Sequence, residues 1–416
     1  MRPRTSRLNA RGTQHMSTTR RATPFALLAL TLAVAHTTAA PPAAQGEPEW
    51  AAAERDALRN HVRLTNPDDF IKAGEAYFDP DGRWIVFQAI PQPNAGEEAS
   101  EHYAMYVARL LRDDRGGVTG IGEPIRISPT GSANTCGYFH PTRPYQVIFA
   151  STITPPRADE QQPGYQRDTG RYVWPFHHEM NVHSATVPEI FDDYLPGVPD
   201  APPRQLSTLI SREGYTAECA YSRSGHQIVY TQVDPETQDA DIYIYNARNR
   251  RHHKIVSADG YDGGPFFSPD DRSIVYRSDR NSDGRLQVFI GLLELDARGE
   301  AVGLREERQV TSNEHVNWAP FWHPSGKFIA YTTSEISHRQ YEIFTVQAPL
   351  SDHADAAPEE LKRRRITHSE GFDGLPVFSN DAQHMMWTSQ RRHPNDPADT
   401  PPSSQVWIAE IINVAP

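Results

Sequence analysis

One motif recurs six times along this chain: an aromatic residue, a polar turn and an apolar run that ends in another aromatic residue. Its best copy, aromatic-x-Pro-x-Gly, has Phe78, Pro80 and Gly82, and Phe87 closes its apolar run. The aromatic residues that open the copies are Phe78, Phe139, Tyr221, Phe267, Trp322 and Phe378, at intervals of 61, 82, 46, 55 and 56 residues. A period near 50 residues that reads strand-turn-strand predicts a propeller of four-stranded blades.

The turn and the run after it fit one blade. Asp79, Pro80 and Gly82 are typical of a type I turn that joins two antiparallel strands. The following strand is apolar at consecutive positions, as at 274–276 and 328–331, whereas a sheet wetted on one face would alternate. Both faces of each sheet must therefore be covered, which blades stacked around an axis achieve.

The third and fourth strands of each unit carry weaker signals. A β-branched residue or methionine beside an aromatic residue marks the third strand, at Met105, Ile242, Val288, Ile343 and Val406; in the second unit either 182–183 or 190–191 could be its equivalent. The fourth strand ends in Ser or Thr, at Ser128, Ser207, Ser257, Thr311 and Thr367. The sixth unit lacks such a strand, but 63–65 (Arg-Leu-Thr) precedes the first unit. We expect this N-terminal strand to complete the last blade and remove two exposed sheet edges.

The units resemble the repeat of TolB-type propellers, whose consensus includes Pro-x-Phe-Ser-Pro-Asp-Gly followed later by Ser-Asp-Arg. Residues 264–270 and 278–280 are the best copy here, and the resemblance covers about residues 62–411. It implies an all-β fold, a six-bladed β-propeller of four-stranded antiparallel blades. It implies no particular activity, because propellers host many.

The N-terminus is typical of an export signal. Six arginines precede an apolar stretch from Phe25 to Ala35, small residues follow, and the first acidic residue is Glu47. We predict a signal peptide and leader at 1–44, cleaved between about residues 35 and 44, an N-terminal segment at 45–61 and a propeller at 62–416. Translation could start at Met1 or Met16. The protein is then periplasmic or secreted, without a lipid anchor or a membrane span.

The net charge disfavours one class of binding partner, and the two cysteines leave the disulfide state open. Loss of the six leader arginines takes the net charge from −12 to about −18, which disfavours nucleic-acid binding. Cys136 and Cys219 are the only cysteines. They could form a disulfide in an oxidising compartment, or remain two small buried residues on adjacent blades.

Signatures of catalysis and of metal binding are weak. The sequence has no Gly-x-Ser-x-Gly elbow and no phosphate-binding loop. The histidines of 177–183 have the wrong spacing for a zinc-protease helix, and we interpret 181–183 as strand. Asp279, Asn281 and Asp283 resemble the first half of a calcium loop, but the twelfth position is Ile290 rather than Glu. We therefore expect no cofactor, with calcium as the alternative.

The segments that enter each inner strand carry acids that should meet at one mouth of the central channel. Counting back from the aligned aromatic residues, the fifth and third positions supply the predicted ligand-binding residues, which are Glu75, Asn134, Glu218, Asp262, Asn317 and Asp373. Clustered carboxylates favour a cation or a cationic ligand group. The alternative is that these are solvated loop acids.

These features predict a non-catalytic, monomeric propeller that recognises a protein or a small or cationic ligand in the cell envelope. Two alternatives remain open. The chain could regulate a separately encoded peptidase, or it could be a propeller hydrolase or lyase that uses the acids of the channel mouth.

Overall fold

The computed structural model describes residues 48–157, 164–166, 171–173, 176–281, 284–394, 396–397 and 401–416. The predicted signal peptide and leader lie outside these residues. Six antiparallel sheets of four strands each form a ring, and this confirms the predicted six-bladed β-propeller. The described part of the chain has no helix long and apolar enough to cross a lipid bilayer.

Each blade runs from an inner strand at the axis to an outer strand, and the bounds of its elements are as follows. Blade 1 contains β2 (Phe70–Phe78), β3 (Trp84–Pro91), β4 (Ala104–Arg112) and a split outer strand, β5 (Val118–Ile121) and β6 (Ile125–Arg126). Blade 2 contains β7 (Asn134–Phe139), β8 (Gln146–Ser151), β11 (Asn181–Thr186) and β12 (Gln205–Ile210), with a separate hairpin of β9 (Gly164–Gln166) and β10 (Arg171–Val173). Blade 3 contains β13 (Thr216–Tyr221), β14 (Gln227–Val233), β15 (Ala240–Asn246) and β16 (Arg251–Val256).

Blade 4 contains β17 (Asp262–Phe267), β18 (Ser273–Ser278), β19 (Gln287–Leu295) and β20 (Ala301–Gln309). Blade 5 contains β21 (Asn317–Trp322), β22 (Phe328–Ser337), β23 (Gln340–Gln347) and β24 (Arg363–Arg365). Blade 6 contains β25 (Asp373–Phe378), β26 (His384–Ser389), β27 (Gln405–Ile411) and β1 (Leu58–Arg63). The helices are α1 (Glu49–Glu54), α2 (Pro188–Tyr194) and two short 3-10 turns, Ser351–His353 and Pro358–Glu360.

The N-terminal strand closes the ring as predicted. Strand β1 pairs with β27 in antiparallel register, with Arg63 opposite Trp407. The backbone N–H of Leu64 continues the pairing by donating to the carbonyl of Val406 at 2.8 Å. The strand begins at Leu58, so part of the predicted N-terminal segment 45–61 already belongs to blade 6. In blade 2, the alternative at 182–183 is confirmed as the third strand, whereas 190–191 lies in α2.

A repeated hydroxyl explains why the outer strands end in Ser or Thr. The Thr311 hydroxyl accepts the N–H of Val288 at 2.9 Å and donates to the Gln287 side chain at 2.8 Å. Thr367 makes the same pair of hydrogen bonds to β23, and Thr65 makes the same pair to β27. Each hydroxyl joins the outer strand to the third strand where the ladder ends, which satisfies backbone groups that would otherwise be orphaned.

The apolar second strand of each blade is covered on both faces by the neighbouring blades. Ile85, Val86 and Phe87 are consecutive and all fully buried, and Ile274, Val275 and Tyr276 repeat this in blade 4. Because successive side chains of a strand point to opposite faces, consecutive burial means that both faces of each sheet are covered. The stacking inferred from the sequence is thus present.

Candidate functional site

Every inner strand contains a β-bulge at the same place. The third residue before each aligned aromatic has a positive φ, between 45° and 61°; these six residues, called here the bulge ring, are Glu75, Cys136, Glu218, Gly264, Ala319 and Leu375. The strand pairing shifts register around each of them. Positive φ is costly for residues other than glycine. Its presence in all six blades shows that the conformation belongs to the fold rather than to one site.

Neighbouring blades satisfy three of the N–H groups that the bulges remove from the ladder. The N–H of Glu75 donates to the Thr388 hydroxyl of blade 6 at 2.9 Å, and that of Leu375 donates to the Thr332 hydroxyl of blade 5 at 3.0 Å. The N–H of Gly264 instead donates to the carboxylate of Glu218 at 2.6 Å. The bulge ring is therefore held from blade to blade by hydrogen bonds.

An aromatic cluster, called here the floor, fills the axis one step below the bulge ring. It consists of Tyr77, Tyr138, Phe266 and Phe321. The ring of Tyr77 lies 5.6 Å from Phe266 of the opposite blade and 5.5 Å from Tyr138. Phe266 and Phe321 meet at 5.0 Å. The channel mouth above the floor is thus closed at its base, and we refer to it as the mouth cup.

One wall of the mouth cup is an ion pair between blades 3 and 4. Nη2 of Arg277 donates to Oε1 of Glu218 at 2.7 Å and to the Tyr261 hydroxyl at 2.8 Å. The Tyr261 hydroxyl donates to Glu218 at 2.6 Å, and the Thr231 hydroxyl donates to its Oε2 at 2.8 Å. Both carboxylate oxygens of Glu218 are therefore saturated, and the side chain is fixed in position.

Glu75 stands in the same cup without such support. It accepts long hydrogen bonds from the Thr135 hydroxyl at 3.3 Å and the Tyr77 hydroxyl at 3.4 Å. Among the residues that the structure describes, no cation is in ion-pair contact with it. Burial raises the pKa of Glu75, and the charge of Glu218 adds to that effect, although a hydrogen bond with Cys136 opposes it.

The two cysteines remain free thiols. The sulfur of Cys219 lies 3.6 Å from the backbone oxygen of Cys136, and both side chains are buried. Burial and the charges of Glu75 and Glu218 raise the pKa of the Cys136 thiol well above its usual value. Cys136 is therefore a neutral thiol in the wall of the cup rather than a thiolate nucleophile.

Aromatic side chains surround the opening. Phe176, from the insertion in blade 2, lies 4.9 Å from Tyr215 and stacks on Tyr261 at 6.1 Å. On the other side, Trp318 and Phe372 are 6.1 Å apart. Four of these five residues, all except Tyr215, are half-buried, so they present apolar surface toward the opening.

The other four predicted mouth residues bond into the loops and blade junctions, and a role for them in ligand binding stays a prediction. Asp262 accepts the N–H of Ala258 at 2.8 Å and pairs with Arg280 at 3.0 Å. Asp373 accepts the Ser369 hydroxyl at 2.7 Å and pairs with Arg391 at 2.9 Å.

The two asparagines behave in the same way. The amide of Asn134 donates to the Ser132 and Tyr103 carbonyls, each at 2.8 Å, and that of Asn317 donates to the Asn313 side chain at 2.8 Å. These residues hold the loops that enter the inner strands. The bulge explains the difference: it breaks the alternation of the strand, so the third position reaches the cup and the fifth does not.

Arg277 belongs to the wall of the cup but was not among the predicted mouth residues. It occupies the position in β18 that Thr231, Thr332 and Thr388 occupy in three other second strands. An aligned comparison of the units could have revealed this exchange of threonine for arginine. Gly264 makes room for it, since a Cβ there would collide with the guanidinium group.

Of the three candidate calcium residues, the structure describes only Asp279 and Asn281. Asp279 accepts the backbone N–H of Tyr261 at 2.6 Å, Asn281 is exposed, and Asp283 lies outside the described residues. Calcium binding stays a prediction. In the segment 177–183, the strand interpretation of 181–183 is confirmed, and His183 contacts the Ser151 carbonyl at 3.2 Å.

Three comparisons with known proteins show what this chain is similar to. No protein-family model and no curated protein matches the sequence. Among solved structures, TolB from Acinetobacter baumannii is 12% identical with a TM-score of 0.47, and the match covers 80% of this chain but only 64% of that one. A putative TolB from Agrobacterium tumefaciens (12% identical, TM-score 0.45, 81% and 90% covered) and an oligogalacturonate lyase in complex with manganese (12%, 0.44, 84% and 93%) are also similar. The six four-stranded blades of the structure itself confirm the predicted resemblance to TolB-type six-bladed propellers as a resemblance of fold.

Proposed function

We propose that this chain is an exported recognition propeller that binds a cationic group of its ligand in the mouth cup. The observation that carries the proposal is Glu75, a largely enclosed carboxylate with no ion-pair partner among the described residues. A buried charge without a partner is costly. A ligand cation against Glu75 would remove this cost, which provides binding free energy.

The charges around Glu75 favour the same ligand. Arg277 is already paired with Glu218, so the carboxylate of Glu75 leaves the cup with an excess of one negative charge. The aromatic groups at the opening can cover the apolar part of a ligand, and their π faces attract cations. The floor below prevents passage through the ring, so the cup is suited to holding a group rather than conducting it.

Titration of the purified protein with phenethylamine tests this proposal. At pH 7.5 and low ionic strength, the ammonium form should bind, whereas neutral 2-phenylethanol should bind at least about tenfold more weakly, because a charge-assisted hydrogen bond is lost. The Glu75→Gln variant should lose this discrimination. The exposed Glu294→Gln variant is the matched control and should retain it.

The pH dependence gives a second measure. Because burial raises the pKa of Glu75, phenethylamine binding should weaken on acidification at a higher pH than for an ordinary glutamate. Equal binding of amine and alcohol to the wild-type protein, or unchanged amine binding to Glu75→Gln, contradicts the proposal.

Export is part of the proposal and has its own test. The basic n-region, the apolar stretch and the following small residues in 1–44 support it. Cell fractionation followed by N-terminal sequencing should find a mature chain that begins between about residues 36 and 45. A cytosolic chain that begins at Met1 or Met16 would show that the leader is not a signal.

A further inference from the structure

Arg277 has donors to spare on the side of the cup. Both hydrogen bonds of its guanidinium group come from Nη2, to Glu218 and Tyr261. Among the described residues, neither Nε nor Nη1 has an acceptor. The side chain is 15% exposed, so these N–H groups keep access to the cup. An arginine fork with free donors is suited to a planar anion such as a carboxylate.

Arg277 and Glu75 belong to opposite blades. Blade 4 faces blade 1 across the axis, as the contact between Tyr77 and Phe266 shows. The two charges are close enough for the guanidinium to act on the pKa of Glu75, yet they form no ion pair. The cup therefore has an unpaired carboxylate on one side and unused cationic donors on the other.

The bulge ring is apolar beside Arg277. Blades 4, 5 and 6 contribute Gly264, Ala319 and Leu375, and Trp318 lies 5.9 Å from the guanidinium group. Glu75, Cys136 and Glu218 form the opposite half of the ring. A ligand that matches this lining has an ammonium group that faces Glu75, an anionic group that faces Arg277, and an apolar body.

We infer that the mouth cup takes a short zwitterion, in which an ammonium group contacts Glu75, a carboxylate contacts Nε and Nη1 of Arg277, and an apolar side chain lies against Trp318 and Leu375. An apolar α-amino acid and a dipeptide of such residues share this chemistry. The inference rests on the proposed function and extends it, because cation binding at Glu75 alone does not require a role for Arg277.

A set of related probes separates the two charges. L-phenylalanine carries both, phenethylamine lacks the carboxylate, and 3-phenylpropanoate lacks the ammonium group. Calorimetric titration at pH 7.5 should find L-phenylalanine bound at least about tenfold more tightly than either single-charge probe. Leucyl-phenylalanine, titrated in parallel, distinguishes a site for free amino acids from a site for peptides.

Variants assign each charge to its partner. In Glu75→Gln, L-phenylalanine should bind no more tightly than 3-phenylpropanoate. In the double variant Glu218→Gln with Arg277→Gln, which leaves no unpaired charge in this wall, it should bind no more tightly than phenethylamine. The melting temperature of each variant establishes that it is folded.

The outcomes distinguish the two proposals. If phenethylamine binds the wild-type protein as tightly as L-phenylalanine, or if the double variant keeps the wild-type preference, the zwitterion is wrong while cation recognition stands. If none of the probes binds, both are wrong.

Discussion

Replacement of Arg391 by methionine should destabilise the protein strongly, because this arginine joins the N-terminal helix to the last blade. Its side chain is fully buried, as are those of its two partners. It makes two hydrogen bonds to Glu54 of α1, at 3.0 and 3.1 Å, and one to Asp373 at 2.9 Å. It also lies over the rings of Trp50 and Trp387. Arg391→Met would leave two buried carboxylates without a cation.

Breaking one side of a buried ion pair costs about 3–5 kcal/mol. The unfolding entropy of a unit the size of Gly46–Pro416 is roughly 0.8 kcal/mol per degree at the melting temperature. We therefore expect the melting temperature of Arg391→Met to fall by about 4–6 °C. Circular dichroism and scanning calorimetry at pH 7.5 measure it directly.

A matched control exists in the same blade. Arg59 of β1 pairs with Glu410 of β27 at 2.8 Å, but its side chain is 63% exposed. Arg59→Met should change the stability by less than about 0.5 kcal/mol, because exposed pairs contribute little. If Arg391→Met has the same melting temperature as Arg59→Met and the wild-type protein, the buried network does not stabilise the contact between α1 and blade 6, and the reasoning is refuted.

The compensated variant Glu54→Gln, Asp373→Asn, Arg391→Met removes all three charges and should recover much of the lost stability.

The network also predicts how the stability changes with pH. Burial opposes ionisation of Glu54, but Arg391 and His61 outweigh it and hold its pKa below the usual value. The stabilisation is therefore present above the unfolded-state pKa and is lost as the pH falls through the folded-state pKa.

Three further predictions concern other parts of the ring. Burial, together with the charge of Asp373, raises the pKa of Glu342 to about 7. Its contribution to stability is therefore full below the unfolded-state pKa and is lost as the pH rises through 7. Glu342→Gln should remove this pH dependence of the unfolding free energy, up to about 3 kcal/mol, when urea unfolding is compared at pH 5 and pH 8. Gly264→Ala should lower the melting temperature, because it combines a φ of 61° with a collision against the arginine behind it; an unchanged value would mean that the bulge relaxes freely. Deletion of the residues before Asn66 should abolish cooperative unfolding, since it exposes the edge of β27, and a wild-type transition would contradict closure by β1.

The sequence predicted the ring well because the fold repeats. Turn residues, consecutive apolar positions and the Ser or Thr of the outer strand each occur several times. A weak copy such as Arg63-Leu64-Thr65 could therefore be recognised by comparison with the other copies of the repeat. The placement of the predicted mouth residues differs among them. Glu75 and Glu218 lie close together at the mouth, whereas Asp262 and Asp373, at the fifth position rather than the third, bond into the loops.

The difference has a physical cause in the bulge. Two positions apart on a regular strand would share a face. Here the residue at the third position itself has a positive φ, which breaks that alternation, and glycine, the usual signal of that conformation, occupies only one of the six places, at Gly264. Glutamate, cysteine, alanine and leucine at the other places give no local sign of it. Arg277 was not predicted because its position stands out only when the second strand of blade 4 is compared with those of the blades that have threonine there.

The closure of blade 6 also constrains the order of folding. The backbone N–H of Val406 bonds to the Thr65 hydroxyl, 341 residues away in sequence. Contacts of such separation form late, since the loop between them must be closed before they contribute. During synthesis, β1 emerges first but has no partner until β27 has been made. Blades 1 to 5 can form from local hairpins, whereas blade 6 waits for both ends of the chain. A ribosome-bound chain should therefore hold a nearly complete propeller whose first strand is still unpaired.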